Sequence, residues 1–477
     1  VKRLIVQGNK EPAMHRPSPA ILIAASFAFI IVQLDVTIVN VALPAIGREL
    51  GADVSALQWV VDAYTLGFAV FLLSAGVLGD RFGARRIFLG GFALFTVASL
   101  ACAVAPGALA LNLARALQGV GAALLVPSSL AILNAAYAHE RALLAKAVAW
   151  WTAAGGVSIA AGPVLGGLLM SFAGWRAIFW VNIPICLAGF WLTLRVVPRQ
   201  HGHAGARGVD LPGQLLAIVA LTAFVGAVIE SHARGIGSAL VQGALLLAVG
   251  AGALFLRVQR RSAAPMLPLA LFRARTFGGA VLFGVLVNFA YYGIIFVLSF
   301  YLQQLRGLSA LQAGLYFLPL TGTFIFSNIA SGWLQARTGP RTPMVAGGLL
   351  GALGYALLGW CGIAADASFL HMLPGLALIP AGMGLAVPAM TTSILAAVAP
   401  SQAGTASAVL NTARQVGGAL GVAIFGALVA PADSAAAMRG VQFALAVSAT
   451  LLLLGALLAW RCIHRPLSTQ GESLCRT

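Results

Sequence analysis

Charge is what this 477-residue chain has least of: charged side chains make up 9% of it, against 60% hydrophobic. A soluble domain carries about 25% charged residues, so water is not the main solvent here. Acid is scarcer than base, with 12 Asp and Glu against 29 Lys and Arg, for a formal charge of +17. Such a surplus suggests nucleic acid, yet the bases sit in short loops between apolar runs, where membrane orientation is set. No nucleic-acid partner is expected. Lysine is almost absent (Lys2, Lys10, Lys146) beside abundant Arg, Ala and Gly, a bias that suggests a high-GC bacterial genome. The five cysteines (Cys102, Cys186, Cys361, Cys462, Cys475) have neither metal nor disulfide spacing, and the first three fall within apolar runs as small hydrophobes. There is no Gly-x-x-x-x-Gly-Lys-Ser/Thr phosphate loop, so no cofactor or metal is expected and a proton gradient is the expected energy source. A membrane-embedded enzyme or receptor would need a nucleophile–base or metal-ligand cluster, and the few His lie mostly in loops. An enzyme is therefore not expected.

What the chain does have is long apolar runs. Roughly 20 consecutive apolar residues span a bilayer as helix, whereas barrel strands alternate apolar and polar. Spanning helices are expected at 21–45, 57–78, 86–105, 108–132, 144–170, 175–196, 212–230, 238–256, 277–303, 309–334, 342–362, 369–395, 404–430 and 440–461. The first is long, lacks a convincing cleavage site and reads as a span rather than a signal peptide. With the amino terminus cytoplasmic, 22 Lys and Arg fall on inside segments and 5 (Arg48, Arg176, Arg234, Arg306, Arg439) on outside loops. That bias predicts both termini in the cytoplasm.

Two internal repeats organise the spans. Gly76, Leu78, Arg81, Gly83 and Arg85 recur at identical spacing as Gly332, Leu334, Arg337, Gly339 and Arg341. Thr152-Ala153 before the glycines of helix 5 echoes Thr412-Ala413 before those of helix 13. Two parallel six-helix halves with two inserted helices produce such spacing. The expected divisions are a tail at 1–20, one bundle at 21–197, the insertion at 198–275, a second bundle at 276–461 and a tail at 462–477.

Few polar groups lie inside the spans, and each needs a reason. A carboxylate mid-helix costs about 2.5–3.5 kcal/mol on insertion scales, so Asp35 should line a cavity and have a task. Desolvation and a nearby cation act on such an acid in opposite directions, which lets one carboxyl alternate between protonated and ionised forms. Asp62 lies nearer the end of helix 2, where a solvated interfacial acid is the alternative. Arg115 could pair with Asp35 or another acid, polarise a proton path, or snorkel to the interface; Arg414 offers the same choices. Asn40, Asn288, Phe289, Tyr291, Tyr292, Tyr316 and Asn411 are the candidates for lining a cargo cavity, each with a packing face as the alternative. Aromatic walls with few hydrogen-bonding groups suit amphipathic, often cationic, compounds. In the loop Gly76-Val-Leu-Gly-Asp80-Arg81-Phe-Gly83-Ala-Arg85-Arg86, Asp80 can face a helix amino terminus and the arginines can bind carboxylates or lipid phosphates. Glycines at 155, 156, 162, 166 and 167 permit close helix packing, and Pro163 should bend helix 5.

The 76–86 loop resembles the cytoplasmic loop signature of the major facilitator superfamily. Leu34-Asp35-Val-Thr37-Ile-Val-Asn40-Val-Ala-Leu-Pro44 resembles the first-helix signature of its fourteen-helix drug:proton antiporter family. Arg115-Ala-Leu-Gln118-Gly119-Val-Gly121 is similar to the fourth-helix motif, and Gly155-Gly156 through Gly162-Pro163-Val-Leu-Gly166-Gly167 to the antiporter motif of helix 5. Trp59-Val-Val-Asp62-Ala-Tyr64 and Asn411-Thr-Ala-Arg414-Gln415 extend the match over nearly the whole chain. Two departures stand out: Ala336 replaces Asp80 in the second loop, and Arg414 is the only ionisable group of helix 13, which counts against doubly charged cations.

The resemblance implies an all-α major facilitator fold of 14 transmembrane helices in a bacterial cytoplasmic membrane. It implies a monomeric, proton-coupled antiporter exporting small amphipathic or cationic compounds by alternating access, with protons and lipids as its other partners. Asp35, Arg115 and Asp62 would couple protons; Gly76, Asp80, Arg81, Gly83 and Arg85 would form a conformational latch, and helix 5 a sliding seam. A dedicated exporter of one endogenous metabolite or self-made antibiotic is the alternative.

Overall fold

The computed structural model describes residues 19–137, 141–199, 210–262, 265–363, 367–399, 402–429 and 433–463. The expected tails fall almost wholly outside these bounds, as does the low-complexity stretch from Gln200 to Arg207. Every regular element among the described residues is helical, as a bilayer requires of a chain whose backbone must satisfy its own hydrogen bonds.

The spans are α1 (Pro19–Leu50), α2 (Val54–Phe82), α3 (Ala84–Ala103), α4 (Ala108–Ala136), α5 (Arg141–Ala173), α6 (Ala177–Val196) and α7 (Leu211–Arg234). After them come α8 (Ala239–Arg261), α9 (Arg275–Phe300), α10 (Ala310–Thr338), α11 (Arg341–Gly362), α12 (Phe369–Ala396), α13 (Ala403–Val429) and α14 (Ser434–Cys462). By length and composition 13 of these can cross a membrane outright, and α5, bent by 40° between Lys146–Ile159 and Ala161–Ala173, makes up to 14. The bend is where Pro163 removes a backbone donor from the following turn. α2 and α10 outrun the carboxyl ends of their expected spans because local caps, not hydrophobicity, end them. Asp53 accepts from the Ala56 amide at 2.8 Å to start α2. Gly83 (φ 91°) ends α2 and Gly339 (φ 74°) ends α10, at matching positions of the two repeated loops, in a backbone region only glycine enters freely.

Large apolar side chains such as Val97, Leu113, Leu246, Phe326 and Ile329 stand exposed around the bundle. In water that surface would aggregate; in a bilayer it is the lipid face. Cys102 and Cys186 are buried as small hydrophobes, whereas Cys361 is exposed where α11 ends in a π-helical turn.

Packing repeats with the sequence. The pairs α1·α5, α2·α4 and α3·α4 in the first bundle correspond to α9·α13, α10·α12 and α11·α12 in the second. The inserted α7 and α8 pack on each other, and α7 lies against both α2 and α13. It is anchored to α2, where the Ser74 hydroxyl bonds Gln214 and Gln214 Nε2 donates to the Val70 carbonyl at 3.1 Å. Toward α13 its contact is apolar, through Val225 and Ile229 against Ala419 and Ala423. Fourteen spans put the start of α1 and the end of α14 on one side of the bundle, here the terminal end; the α1–α2 turn lies at the far end.

Candidate functional site

One polar cluster sits deep in the first bundle. Asp35, fully buried on α1, forms an ion pair with Arg115 on α4. Its carboxylate also accepts from Gln118 Nε2 and from Asn182 Nδ2 of α6, each at 2.9 Å. Arg115 and Gln118, three residues apart on one helix face, bond each other at 2.7 Å. Arg115 Nε donates to the Val60 carbonyl at 3.0 Å, and its guanidinium lies 4.3 Å from the Tyr64 ring centroid. Ser99 closes the network by accepting from Gln118 at 2.9 Å. Five helices thus meet around one ion pair, and breaking such a buried pair costs about 3–5 kcal/mol.

Asp62 is just as deeply buried on α2, but neither carboxyl oxygen has a hydrogen-bond partner among the described residues. One turn toward the far end, Gln58 Nε2 crosses to α13 and donates to the Val422 and Ala423 carbonyls at 3.1 and 2.7 Å. Gly426 makes room for that side chain. Toward the terminal end, Thr412 of α13 donates to the Ala69 carbonyl of α2 at 3.2 Å. Asp62 therefore lies in the stretch of α2 between two points where the bundles are tied.

The other ties lie in the far half. Ser299 of α9 donates to the Asn40 carbonyl at 2.5 Å, and Gln303 to the Val41 carbonyl at 2.9 Å. Beneath them a small cavity is lined by Thr37 and Asn40 of α1, Ile159 and Pro163 of α5, Tyr291 and Ile295 of α9, and Phe317 and Leu320 of α10. All hydrogen bonds described between the bundles are at the far half or mid-depth, so this conformation is closed at the far end.

The candidate cargo residues separate accordingly. Asn40 and Tyr291 line the cavity, and Tyr292 stacks edge-on with Tyr291 at 5.5 Å between centroids. Asn288 is buried and donates to the Gly284 carbonyl at 2.8 Å. Asn411 donates to the Ser407 carbonyl at 3.0 Å and accepts from Arg414 at 3.4 Å. Phe289 packs on Phe425 and Tyr316 on Phe369, at 5.1 and 4.9 Å; neither lines the small cavity.

The helix 5 glycines also divide. Gly155 meets Phe29 of α1, and Gly162 and Gly166 meet Thr37 and Ile38, all within one bundle. Gly167 faces the other bundle, where a Cβ would lie 2.6 Å from Leu311 Cα and 2.8 Å from the Ala310 carbonyl of α10. Gly156 has only Ile325 nearby, at 3.9 Å. In the 76–86 loop, Gly76 has open space beside it, Arg85 donates to the Leu194 carbonyl at 2.9 Å and Arg81 lies over Phe82. Asp80 is exposed and makes no ion pair among the described residues.

A family model described as Major Facilitator Superfamily matches residues 25–422. The chain belongs to the Major Facilitator Superfamily. Among similar superfamily proteins, the methylenomycin A resistance protein of Streptomyces coelicolor is 38% identical over 453 residues, covering 94% of this chain and 93% of the relative. The multidrug resistance protein Stp of Mycobacterium tuberculosis is 39% identical over 420 residues, covering 87% of this chain and 77% of its own length. In fold, a solved structure described for proton-dependent oligopeptide transporters aligns with a TM-score of 0.68 at 15% identity, covering 93% of this chain and 98% of that one.

Asn182, Ser99 and Gln58 were not singled out from sequence, and Gln118 entered only as part of the fourth-helix motif. Their signal was present: a polar side chain within an apolar run must find a partner in a bilayer. Which partner it finds depends on helix neighbours that spacing alone does not supply.

Proposed function

We propose that this chain is a proton-coupled exporter of small amphipathic compounds, drugs and antibiotics among them, working by alternating access across a bacterial cytoplasmic membrane. The terminal end is the cytoplasmic end, and the conformation described is closed to the outside. The observation that carries the reading is a pair of buried acids in contrasting surroundings: Asp35 ion-paired with Arg115, Asp62 without a partner.

A buried charge without a partner is far costlier than a neutral acid, so Asp62 holds the proton in this conformation. It lies in the α2–α13 seam below Gln58, and parting that seam opens it to outside water. Asp35 is the second station. Its charge is balanced by Arg115, and it takes a proton when the helices carrying its three partners shift. Protonation from outside favours cargo release, and deprotonation inside favours loading. The far-end ties and the Gly167 contact break as the halves rock, while the 76–86 loop, whose Asp80 makes no ion pair among the described residues, engages in the opposite state.

Two bundles in one chain supply the whole rocking seam, so a monomer suffices. The named roles of the two relatives support drug export in general. The relative named for methylenomycin A alone favours a second reading, export of a single compound. The transport test is an imposed pH gradient in inverted vesicles, following movement of methylenomycin A and a panel of aromatic antibiotics. Gradient-dependent accumulation in wild type, abolished in Asp35→Asn, is expected. Unchanged cargo-coupled proton movement in that variant would remove Asp35 from the mechanism.

A further inference from the structure

The second bundle holds a charge that the proton cycle above leaves unused. Between residues 276 and 461 the only acids in the sequence are Asp366, which falls outside the described residues, and Asp433, which caps the start of α14, yet Arg414 lies inside α13. Its Nε is buried without a hydrogen-bond partner, and its one described bond is the 3.4 Å contact from Nη1 to Asn411. The side chain packs on α9, where Gly284 makes the space: a Cβ there would lie 3.3 Å from Arg414 Cγ.

The direction it faces follows from its neighbours. Thr412 and Ala423 mark the α2 side of α13, and Leu420 and Ala423 the α7 side. Asn411, Arg414 and Gly418 lie on the other side, spaced three and four residues apart. Tyr292 packs on Gly418, one turn from Arg414, and stacks with Tyr291 of the cavity lining. A guanidinium keeps its charge in any protein setting, and a polar atom buried without a partner, as Nε is in this half-buried side chain, is unfavourable. Arg115 has its carboxylate; Arg414 has none among the described residues.

We propose that Arg414 is an anion-binding residue of the cargo site, so that the favoured cargo carries a carboxylate or similar anionic group beside an aromatic body. The planar fork of Arg suits a carboxylate, with Tyr291 and Tyr292 placed to hold the ring system. The inference deepens the transport reading by naming the charge of the cargo. It reverses the cationic preference that aromatic walls alone suggest.

Two xanthene dyes of opposite charge test it: fluorescein, a carboxylate, and rhodamine 123, a cationic methyl ester. Equilibrium binding to the purified full chain in detergent is read by fluorescence anisotropy for wild type, Arg414→Gln and Arg414→Lys. Charge-assisted hydrogen bonds imply that Arg414→Gln weakens fluorescein binding about tenfold or more and changes rhodamine 123 binding by less than about twofold. Arg414→Lys keeps the charge but not the fork, so its fluorescein affinity is expected between those of wild type and Arg414→Gln, and intact rhodamine 123 binding reports that the variants fold. Wild type that favours rhodamine 123, or an Arg414→Gln loss equal for both dyes, overturns the proposal. So does a loss that Asp62→Asn restores, which would make Arg414 the partner of Asp62 in another conformation. Binding does not depend on transport. A fluorescein preference that Arg414→Gln removes, in a protein that exports nothing under a pH gradient, would sink the transport reading and leave the anion site standing.

Discussion

Gly167→Ala should shift the protein away from the conformation described here. An added Cβ would lie 2.6 Å from Leu311 Cα and 2.8 Å from the Ala310 carbonyl, so α5 and α10 must separate by most of an ångström at that point. Forced overpacking of this kind costs about 1–3 kcal/mol, and because the contact joins the two bundles, the cost falls on the far-closed state. A difference of that size changes a two-state ratio by about 5- to 150-fold. Ser299, whose hydroxyl is tied to the Asn40 carbonyl, is the reporter. With the five native cysteines replaced, Ser299→Cys is modified by a soluble maleimide only when the far end opens. Gly167→Ala should speed that reaction at least about fivefold, the lower bound of the same range. Gly156→Ala, with only Ile325 at 3.9 Å, should leave it unchanged. Equal rates in the two alanine variants would refute the assignment of Gly167 to the moving seam.

The remaining predictions concern the polar network and the seam. Asp35→Asn strands the Arg115 charge and should destabilise the first bundle by about 3–5 kcal/mol, while the double variant Asp35→Asn/Arg115→Gln loses less than either change alone implies. Thermal unfolding in detergent measures this, and additive losses would contradict the pairing. Gln58→Leu removes two hydrogen bonds to α13, each worth about 0.5–1.5 kcal/mol. It should raise maleimide modification at the far end, whereas an unchanged rate would show that the Gln58 tie does not hold that end closed.

The fold was legible because a bilayer reduces it to run length and charge placement. Long apolar runs, Lys and Arg concentrated in alternate loops, and a loop motif repeated from Gly76 to Gly332 implied fourteen spans, two six-helix halves with two inserted helices. Helix ends were less legible, since Asp53, Gly83 and Gly339 act locally and extend helices past the apolar run. Asp35, Asp62 and Arg115 stood out because an ionisable group inside an apolar run is costly and needs a partner, a task or a route to the interface. The Arg115–Asp35 pair was one alternative among several, and the rest of the network was not legible, because Asn182 and Gln118 reach Asp35 from helices that sequence order does not make adjacent. The helix 5 glycines look equivalent in sequence, yet one residue separates Gly166, against its own bundle, from Gly167, against the other. That distinction depends on the rotation of α5. Arg414 was visible as an oddity, and only the packing of Gly284 and Gly418 indicates where it points.

The central claim is that the exchangeable proton rests on the carboxyl in the α2–α13 seam. Infrared spectroscopy of the purified protein at neutral pH reads it directly through the stretching band of a protonated, water-shielded carboxyl. The account predicts that band in wild type and in Asp35→Asn, and its loss in Asp62→Asn. A band that survives Asp62→Asn, or that disappears in Asp35→Asn alone, would contradict it.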